Sequence, residues 1–311
     1  MPHENSAADL PLKSFELPAF LVKPAVMACR SFNSAVDAVF YDVPTFRAEL
    51  KEAMPLDAVS DPEGCLLLVD AAKAPHVVKF AGVPEFFASE SPEAQAVAAI
   101  TITGVGSSAL GSAAMAWDVS KALGEPALAI VPGYGVADVI LQALGGWFGY
   151  GMHDFFGAKS AVQATLAQVA PESAKIGRRL AATAPGARTV NGAPVFRTGS
   201  GSSDALHALI GERPGRFRLL IGHSKGALQI ANALRSLDAA HTDGLHVVTL
   251  GCPIGKDAPG VTYHQYLGLF DALGQINMWG HLPDKWPPTW HSTNPFLPPA
   301  MPVGKFAQEP N

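Results

Sequence analysis

The chain has 311 residues, 48% apolar and only 16% charged, so it can bury a sizeable core and is not expected to be disordered. A net charge of −5 offers no basic footprint and argues against nucleic acid as a partner. Its three cysteines, Cys29, Cys65 and Cys252, lie far apart, which suits buried thiols in a reducing compartment better than a disulfide framework or a zinc site. No metal-ligand cluster is apparent.

The first residues carry no basic-then-apolar leader, so a secretory signal is not expected. The most apolar stretch, 139–157, is broken by glycines and carries His153 and Asp154, whereas a membrane span needs about 20 mostly apolar residues. A soluble, cytoplasmic protein is the expectation. Residues 1–95 read as a mainly helical segment: from Asn33, apolar and charged residues mix at roughly helical spacing around Pro44. Within that segment, GCLLLVDAA and HVVKFAG could be short strands or buried helix, and periodicity does not separate the two.

From Ala96 the pattern changes to alternating strands and helices. AVAAITIT is a continuous β-branched run suited to a strand covered on both faces. The glycine-rich TGVGSSALG follows, then a helix through SAAMAWDVSKAL ended by Gly124, then a second buried strand, PALAIV. Strand, helix and strand in this order predict a parallel sheet flanked by helices. Residues 136–212 read as largely helical, with Ser202 or Ser203 as a helix N-cap near their end. FRLLI, LHVVTLGCP and YHQYLGLF supply further strands. After Asp271 the chain turns Pro- and Trp-rich and is expected to lie as loop over the surface.

The stretch FRLLIGHSKGALQIANAL places Ser224 in a G-x-S-x-G pattern between a strand and a helix. A nucleophile on such a turn needs small residues two before and two after it, and Gly222 and Gly226 meet that need. The pattern alone is short enough to arise by chance, and a glycine-rich turn without catalysis is the plain alternative. Three further stretches accompany it in order: TGVGSS (103–108), PGYGVAD (132–138) and VVTLGCP (247–253).

Together these resemble the α/β-hydrolase superfamily, over about residues 96–253. The resemblance implies a catalytic domain over 96–311, with a possible lid or helical insertion at about 139–212. It also implies a Ser-Asp-His triad in that chain order. Downstream of Ser224, His291 lies in a late loop where the superfamily puts its base, with His281 as competitor and His264 expected in a strand. Asp271 directly follows a strand, where the acid is expected; Asp257 and Asp284 are the alternatives. The oxyanion donors implied by position are the backbone N–H groups of Val105 and Lys225. Thr103 stands where the superfamily has a histidine. The Lys225 side chain is expected to reach solvent or pair with a carboxylate.

A lipase- or esterase-like activity on a small hydrophobic ester, with no cofactor, is therefore the expectation. The aromatic run WFGYGMHDFF (147–156) and Trp279, Trp286 and Trp290 are candidates for an apolar acyl pocket or lid, or for plain core packing. Two other readings stay open. Gly104, Gly106 and Ala109 satisfy a loose dinucleotide-binding pattern, and SKGAL resembles a segment of short-chain dehydrogenases, but the tyrosine they need four residues before the lysine would fall at Ile221. The third reading is a hydrolase-like binding protein without catalysis.

Overall fold

Four- and five-residue apolar runs become strands here because each is covered on both faces by helices. The computed structural model describes residues 33–50, 63–104, 106–132, 189–190, 193–194, 196, 200–276, 278 and 280–310. Its strands are β1 (Leu66–Val69), β2 (Val77–Phe80), β3 (Ala99–Ile102), β4 (Ala127–Ile130), β5 (Thr189–Val190), β6 (Ala193–Pro194), β7 (Leu219–His223), β8 (His246–Leu250) and β9 (Thr262–Tyr266). Seven of them form one mixed sheet in the order β2-β1-β4-β3-β7-β8-β9, while β5 and β6 pair separately. The run from β4 through β3, β7 and β8 to β9 is parallel throughout. Only β1 and β2 are antiparallel to their neighbours.

Helices cover both faces. Residues 33–40 are helical (α1). They are followed by α2 (Val43–Glu49), α3 (Val83–Phe87), α4 (Pro92–Ala96), α5 (Ala109–Leu123), α6 (Gly201–Glu212), α7 (Lys225–Ala233), α8 (Ala239–Thr242), α9 (Ala272–Ile276) and α10 (Val303–Gln308). On one face Phe46 of α2, Met115 and Trp117 of α5 and Phe306 of α10 pack over Leu67, Ala129 and Ile221. On the other, Phe86 of α3, Leu206 and Leu209 of α6 and Ile230 of α7 pack over Leu68, Ile100 and Leu220. Gly124 ends α5 in the left-handed conformation at φ 70, as its position in the sequence predicts. Among the described residues, no helix is long and apolar enough to cross a membrane.

The structure departs from the sequence reading in three places. LLLV and VVKF, left ambiguous in a mainly helical segment, are β1 and β2 of the main sheet, with β1 paired directly to β4. A four-residue apolar run has no period of its own, and its strand identity comes from a partner some 60 residues downstream. The N-cap of α6 is Ser200, while Ser202 and Ser203 lie buried inside its first turn, Ser203 Oγ donating to the Gln229 carbonyl at 2.9 Å. The tail after Asp271 is not only surface loop: His291–Asn294 are buried and the chain re-enters the core at α10, where Phe306 stacks on Tyr266 at 3.9 Å. Most of 136–200, including the larger part of the expected insertion at about 139–212 and the aromatic run 147–156, lies outside the described residues, while the last part of that insertion is α6.

The α2–α5 contact carries a clustered negative charge. Glu49 accepts from Trp117 Nε1 at 3.1 Å and from Lys121 Nζ at 2.9 Å, and Asp118 sits half-buried close by. Burial, with Asp42 and Glu49 adding repulsion, raises the Asp118 carboxyl to about 7. Its unfolded form therefore binds fewer protons between pH 4 and 7, so stability falls as pH rises through that window. Asp118→Asn is expected to stabilise the fold at pH 8 by about 1–2 kcal/mol, after allowance for partial exposure, and to match the wild type at pH 4. Urea titrations at the two pH values check this; parallel pH profiles would count against it.

Candidate active site

The sheet reverses its winding between β3 and β7: from β3 the chain crosses to β4 on one side and returns to β7 on the other. In open α/β sheets the crevice at the carboxyl ends of such a strand pair is the usual ligand site. Ser224 lies there, between the end of β7 and the start of α7. Its backbone has φ 51 and ψ −121, a conformation that a side-chain-bearing residue rarely adopts and that costs of order 1–3 kcal/mol. The Ser224 N–H donates to the Leu250 carbonyl at 2.8 Å, which ties the turn to the end of β8.

The two flanking glycines are there for space. A Cβ on Gly226 would lie 2.0 Å from the Ile102 carbonyl oxygen, and one on Gly222 would lie 2.6 Å from the backbone of Ala227. Strand β3, strand β7 and helix α7 therefore meet with no room for a methyl group. The G-x-S-x-G spacing is the sequence trace of that close approach.

Asp271 and His291 meet beyond the end of β9, two strands along the sheet from β7. Beyond β9 the chain runs on as Leu267–Phe270, and the tail lies beside it, starting with a parallel bridge between Tyr266 and Lys285. The N–H groups of Leu267, Leu269 and Phe270 donate to the carbonyls of Lys285, Pro287 and Thr289. Because the tail contributes only acceptors in these three bonds, Pro287 and Pro288 do not interrupt the pairing. Asp271 then turns, its Oδ1 accepting from Gly274 N–H at 2.6 Å, and His291 arrives opposite it.

His291 Nδ1 lies 2.9 and 2.8 Å from the two carboxylate oxygens of Asp271, and both residues are buried. A carboxylate only accepts, so Nδ1 carries a proton, and whenever the ring is uncharged its lone pair is on Nε2. Gly251, at φ +70, lets the β8 end pass against the ring: a Cβ there would sit 2.8 Å from the imidazole and 3.0 Å from Asp271 Oδ2. No hydrogen bond joins Ser224 Oγ to His291. What they share is the end of β8, where Ser224 N–H meets the Leu250 carbonyl and the His291 ring lies against Gly251, and the residue between Gly222 and Ser224.

That residue is His223, which the sequence reading passed over. It is buried, its ring centroid lies 4.9 Å from that of His291, and its Nε2 is 2.8 Å from the His291 carbonyl oxygen. Its Nδ1 is 2.8 Å from the hydroxyl of Tyr41, which in turn accepts the Gly104 N–H at 2.7 Å. The carbonyl of His291 can only accept, so His223 donates through Nε2–H and accepts the Tyr41 proton at Nδ1. Burial, with the nearby His291, pushes His223 down to about 3, so the ring is neutral across the physiological range.

Helix α1 supplies more than Tyr41. One turn earlier, buried Asp37 accepts from Ser107 Oγ at 2.9 Å and from Ser108 Oγ at 2.5 Å, holding the far side of the loop after β3. At its C-terminal end, Asn294 Nδ2, Ser292 Oγ and Thr293 Oγ1 donate to the carbonyls of Ala38, Val39 and Phe40, each at 2.6 Å. The last carbonyls of a helix have no partner within it, and the tripeptide after His291 satisfies them. The Phe40 ring stands edge-on to the His291 imidazole at 5.6 Å. One signal for α1 was present in the sequence: Asp37 and Tyr41 are spaced i, i+4, which puts them on one helix face.

The other expected residues separate cleanly. His281 is exposed, and His264 lies on β9 with its Nε2 3.2 Å from His246 Nδ1. Asp257 is exposed, and Asp284 pairs with Lys256 at 2.5 Å. Lys225 opens α7, so its N–H is among those with no acceptor inside the helix. Its side chain is 2% exposed, which corrects the expectation that it reaches solvent. Val105, Trp279 and nearly all of PGYGVAD lie outside the described residues. Among the described residues no cluster could hold a metal ion.

The steric account of the elbow is open to a direct check. Gly226→Ala is expected to cost about 2 kcal/mol or more, because backbone atoms of β3 must move. Gly211→Ala, in α6 with no neighbour nearer than 4.0 Å, should stabilise by about 0.5–1 kcal/mol. Chemical denaturation of both variants measures the contrast; equal effects would refute the close-approach argument. No family model matches this chain, and no curated protein or solved structure matches it either.

Proposed function

We propose that the protein is a serine hydrolase of the α/β-hydrolase superfamily that cleaves a carboxylic ester through Ser224, His291 and Asp271. The observation that carries the reading is the buried Asp271–His291 pair, hydrogen-bonded at 2.8 Å, at the same edge of the sheet as a serine held at φ 51. Both reach the end of β8, Ser224 through the Leu250 carbonyl and His291 against Gly251. A strained serine and an oriented imidazole that converge on one strand end are what such chemistry requires.

In this mechanism Ser224 Oγ attacks the ester carbonyl while His291 Nε2 takes its proton. Asp271 keeps the proton on Nδ1 and stabilises the imidazolium as it forms. The oxygen that becomes negative is met by the Lys225 N–H at the start of α7, with Val105 N–H as the second donor implied by the resemblance. His291 then protonates the leaving alcohol, and a water activated by the same ring releases the acid and frees Ser224. Substrate binding has to bring Ser224 Oγ and His291 into contact, since catalytic hydrogen bonds often tighten only then.

Exposed apolar side chains surround the Asp271 turn: Leu269, Phe270, Leu273 and Ile276 are each at least half exposed. They favour an apolar acyl or alcohol group over a charged one. The dehydrogenase alternative has no tyrosine in the required place, where Ile221 lies buried in β7.

A fluorophosphonate probe is expected to label the purified protein, and Ser224→Ala to abolish the labelling. His291→Ala and Asp271→Asn should each lower kcat on p-nitrophenyl esters about 10³-fold or more. A series of acyl chain lengths reads the apolar preference; no turnover at any length by folded protein would reject the ester reading.

A further inference from the structure

Hydrolytic triads need their base placed to within a few tenths of an ångström, and His291 lies in a tail with no regular secondary structure around it. Asp271 bonds its ring, and Ser292, Thr293 and Asn294 tie the next three residues to α1. The carbonyl of His291 itself is held by a buried polar path that starts at Gly104, in the loop that follows β3.

We infer that Tyr41 and His223 are positioning residues, which couple the loop after β3 to the loop bearing His291 through one directed chain of hydrogen bonds. This rests on the reading of His291 as the base. The path runs Gly104 N–H to Tyr41 Oη, Tyr41 O–H to His223 Nδ1, and His223 Nε2–H to the His291 carbonyl, with lengths of 2.7, 2.8 and 2.8 Å. The direction is set from the carbonyl end: a carbonyl can only accept, so His223 donates through Nε2–H, and in the uncharged ring Nδ1 is then an acceptor for the Tyr41 proton.

The chain thereby selects one tautomer of His223, and that tautomer alone offers a donor to the His291 carbonyl. Near neutral pH His223 stays uncharged, so it places no positive charge beside the imidazolium that forms during catalysis. The same path touches the nucleophile's surroundings: a Cβ on Gly104 would lie 3.2 Å from Ser224 Cβ and 3.4 Å from Tyr41 Oη. Base loop, nucleophile and the loop after β3 are thus held against each other by two side chains that never meet substrate.

Two substitutions and one spectroscopic measurement test this. Tyr41→Phe keeps the ring and removes the hydroxyl, leaving the Gly104 N–H and His223 Nδ1 without their partners. Its kcat is expected to fall about 10- to 100-fold, as for an ångström-scale misplacement, with KM within about twofold of wild type. His223→Gln keeps an N–H donor for the His291 carbonyl and should stay within about threefold of wild type, whereas His223→Leu should fall as far as Tyr41→Phe. Equal kcat in the Gln and Leu variants, or wild-type kcat in Tyr41→Phe, would overturn the inference.

The imidazole ¹⁵N–¹H correlations of the wild type give a readout independent of turnover. His223 is expected as the neutral Nε2–H tautomer from pH 5 to 8, with the His291 resonances displaced in Tyr41→Phe. A charged or Nδ1–H His223 would overturn the coupling whether or not the protein is a hydrolase. Absence of fluorophosphonate labelling in the wild type, with these NMR signatures present, would instead reject the triad reading alone.

Discussion

The tail that carries His291 is seated on β9 by hydrogen bonds whose direction changes along the chain: Asp284 and Lys285 N–H donate to the Gln265 carbonyl, and beyond that point the tail accepts. Prolines at 287 and 288 donate nothing, and a conventional strand could not be built from them. The extension of β9 solves this by supplying the donors at Leu267, Leu269 and Phe270, so the stretch 285–289 enters this pairing through its carbonyls alone. The register of that pairing decides that Thr289 stands against Phe270, and hence that His291 faces Asp271. Were the tail to slip by one residue, the imidazole would move off the carboxylate and the two ends of the chain would lose their common anchor.

A second constraint acts at right angles to the first. The loop after β3, the Ser224 turn and the His291 loop all contain buried polar groups, and each such group left unpaired would cost about 1–3 kcal/mol. Helix α1 meets these demands together. Asp37 serves Ser107 and Ser108, Tyr41 serves Gly104 and His223, and the last carbonyls of the helix serve Ser292, Thr293 and Asn294. Burial raises the Asp37 carboxyl to about 6 despite these donors. A segment that the sequence reading could only describe as helical is thus the piece against which both loops are set.

How much of this could be read beforehand follows from the range of the interactions. Strands β3, β4, β7 and β8 were legible because each is built on an apolar run with helix or turn signals on both sides, whereas β9, at the end of the sheet, reads TYHQY and was legible only as part of the longer YHQYLGLF. Strands β1 and β2 were not, since four residues carry no period and their identity depends on β4. Ser224 stood out because Gly222 and Gly226 record a local steric demand. The positions of Asp271 after a strand and His291 in a late loop came from the resemblance, and the choice over His281 is supported by burial and by the carboxylate contact. The pairing of Tyr41 with His223 left no trace: they are 182 residues apart, the Asp37/Tyr41 spacing marks only a shared helix face, and the position before the serine in G-x-S-x-G carries no expectation of its own. The solvent-seeking reading of Lys225 failed because a long apolar stem does not reveal which way its end points.

The hydrogen bonds from Ser292 and Thr293 to α1 span 253 residues of chain. Contacts of that span are the last to be rewarded as a chain orders itself, because the loop they close is the longest. The elbow around Ser224 is built from β3, β7, β8 and α7, all of which precede the tail. During synthesis the Ser224 turn can therefore form well before His291 has been made. The proposed site would then be complete only once the two distant ends of the described chain have found each other, so that completing the fold and completing the site would be a single event.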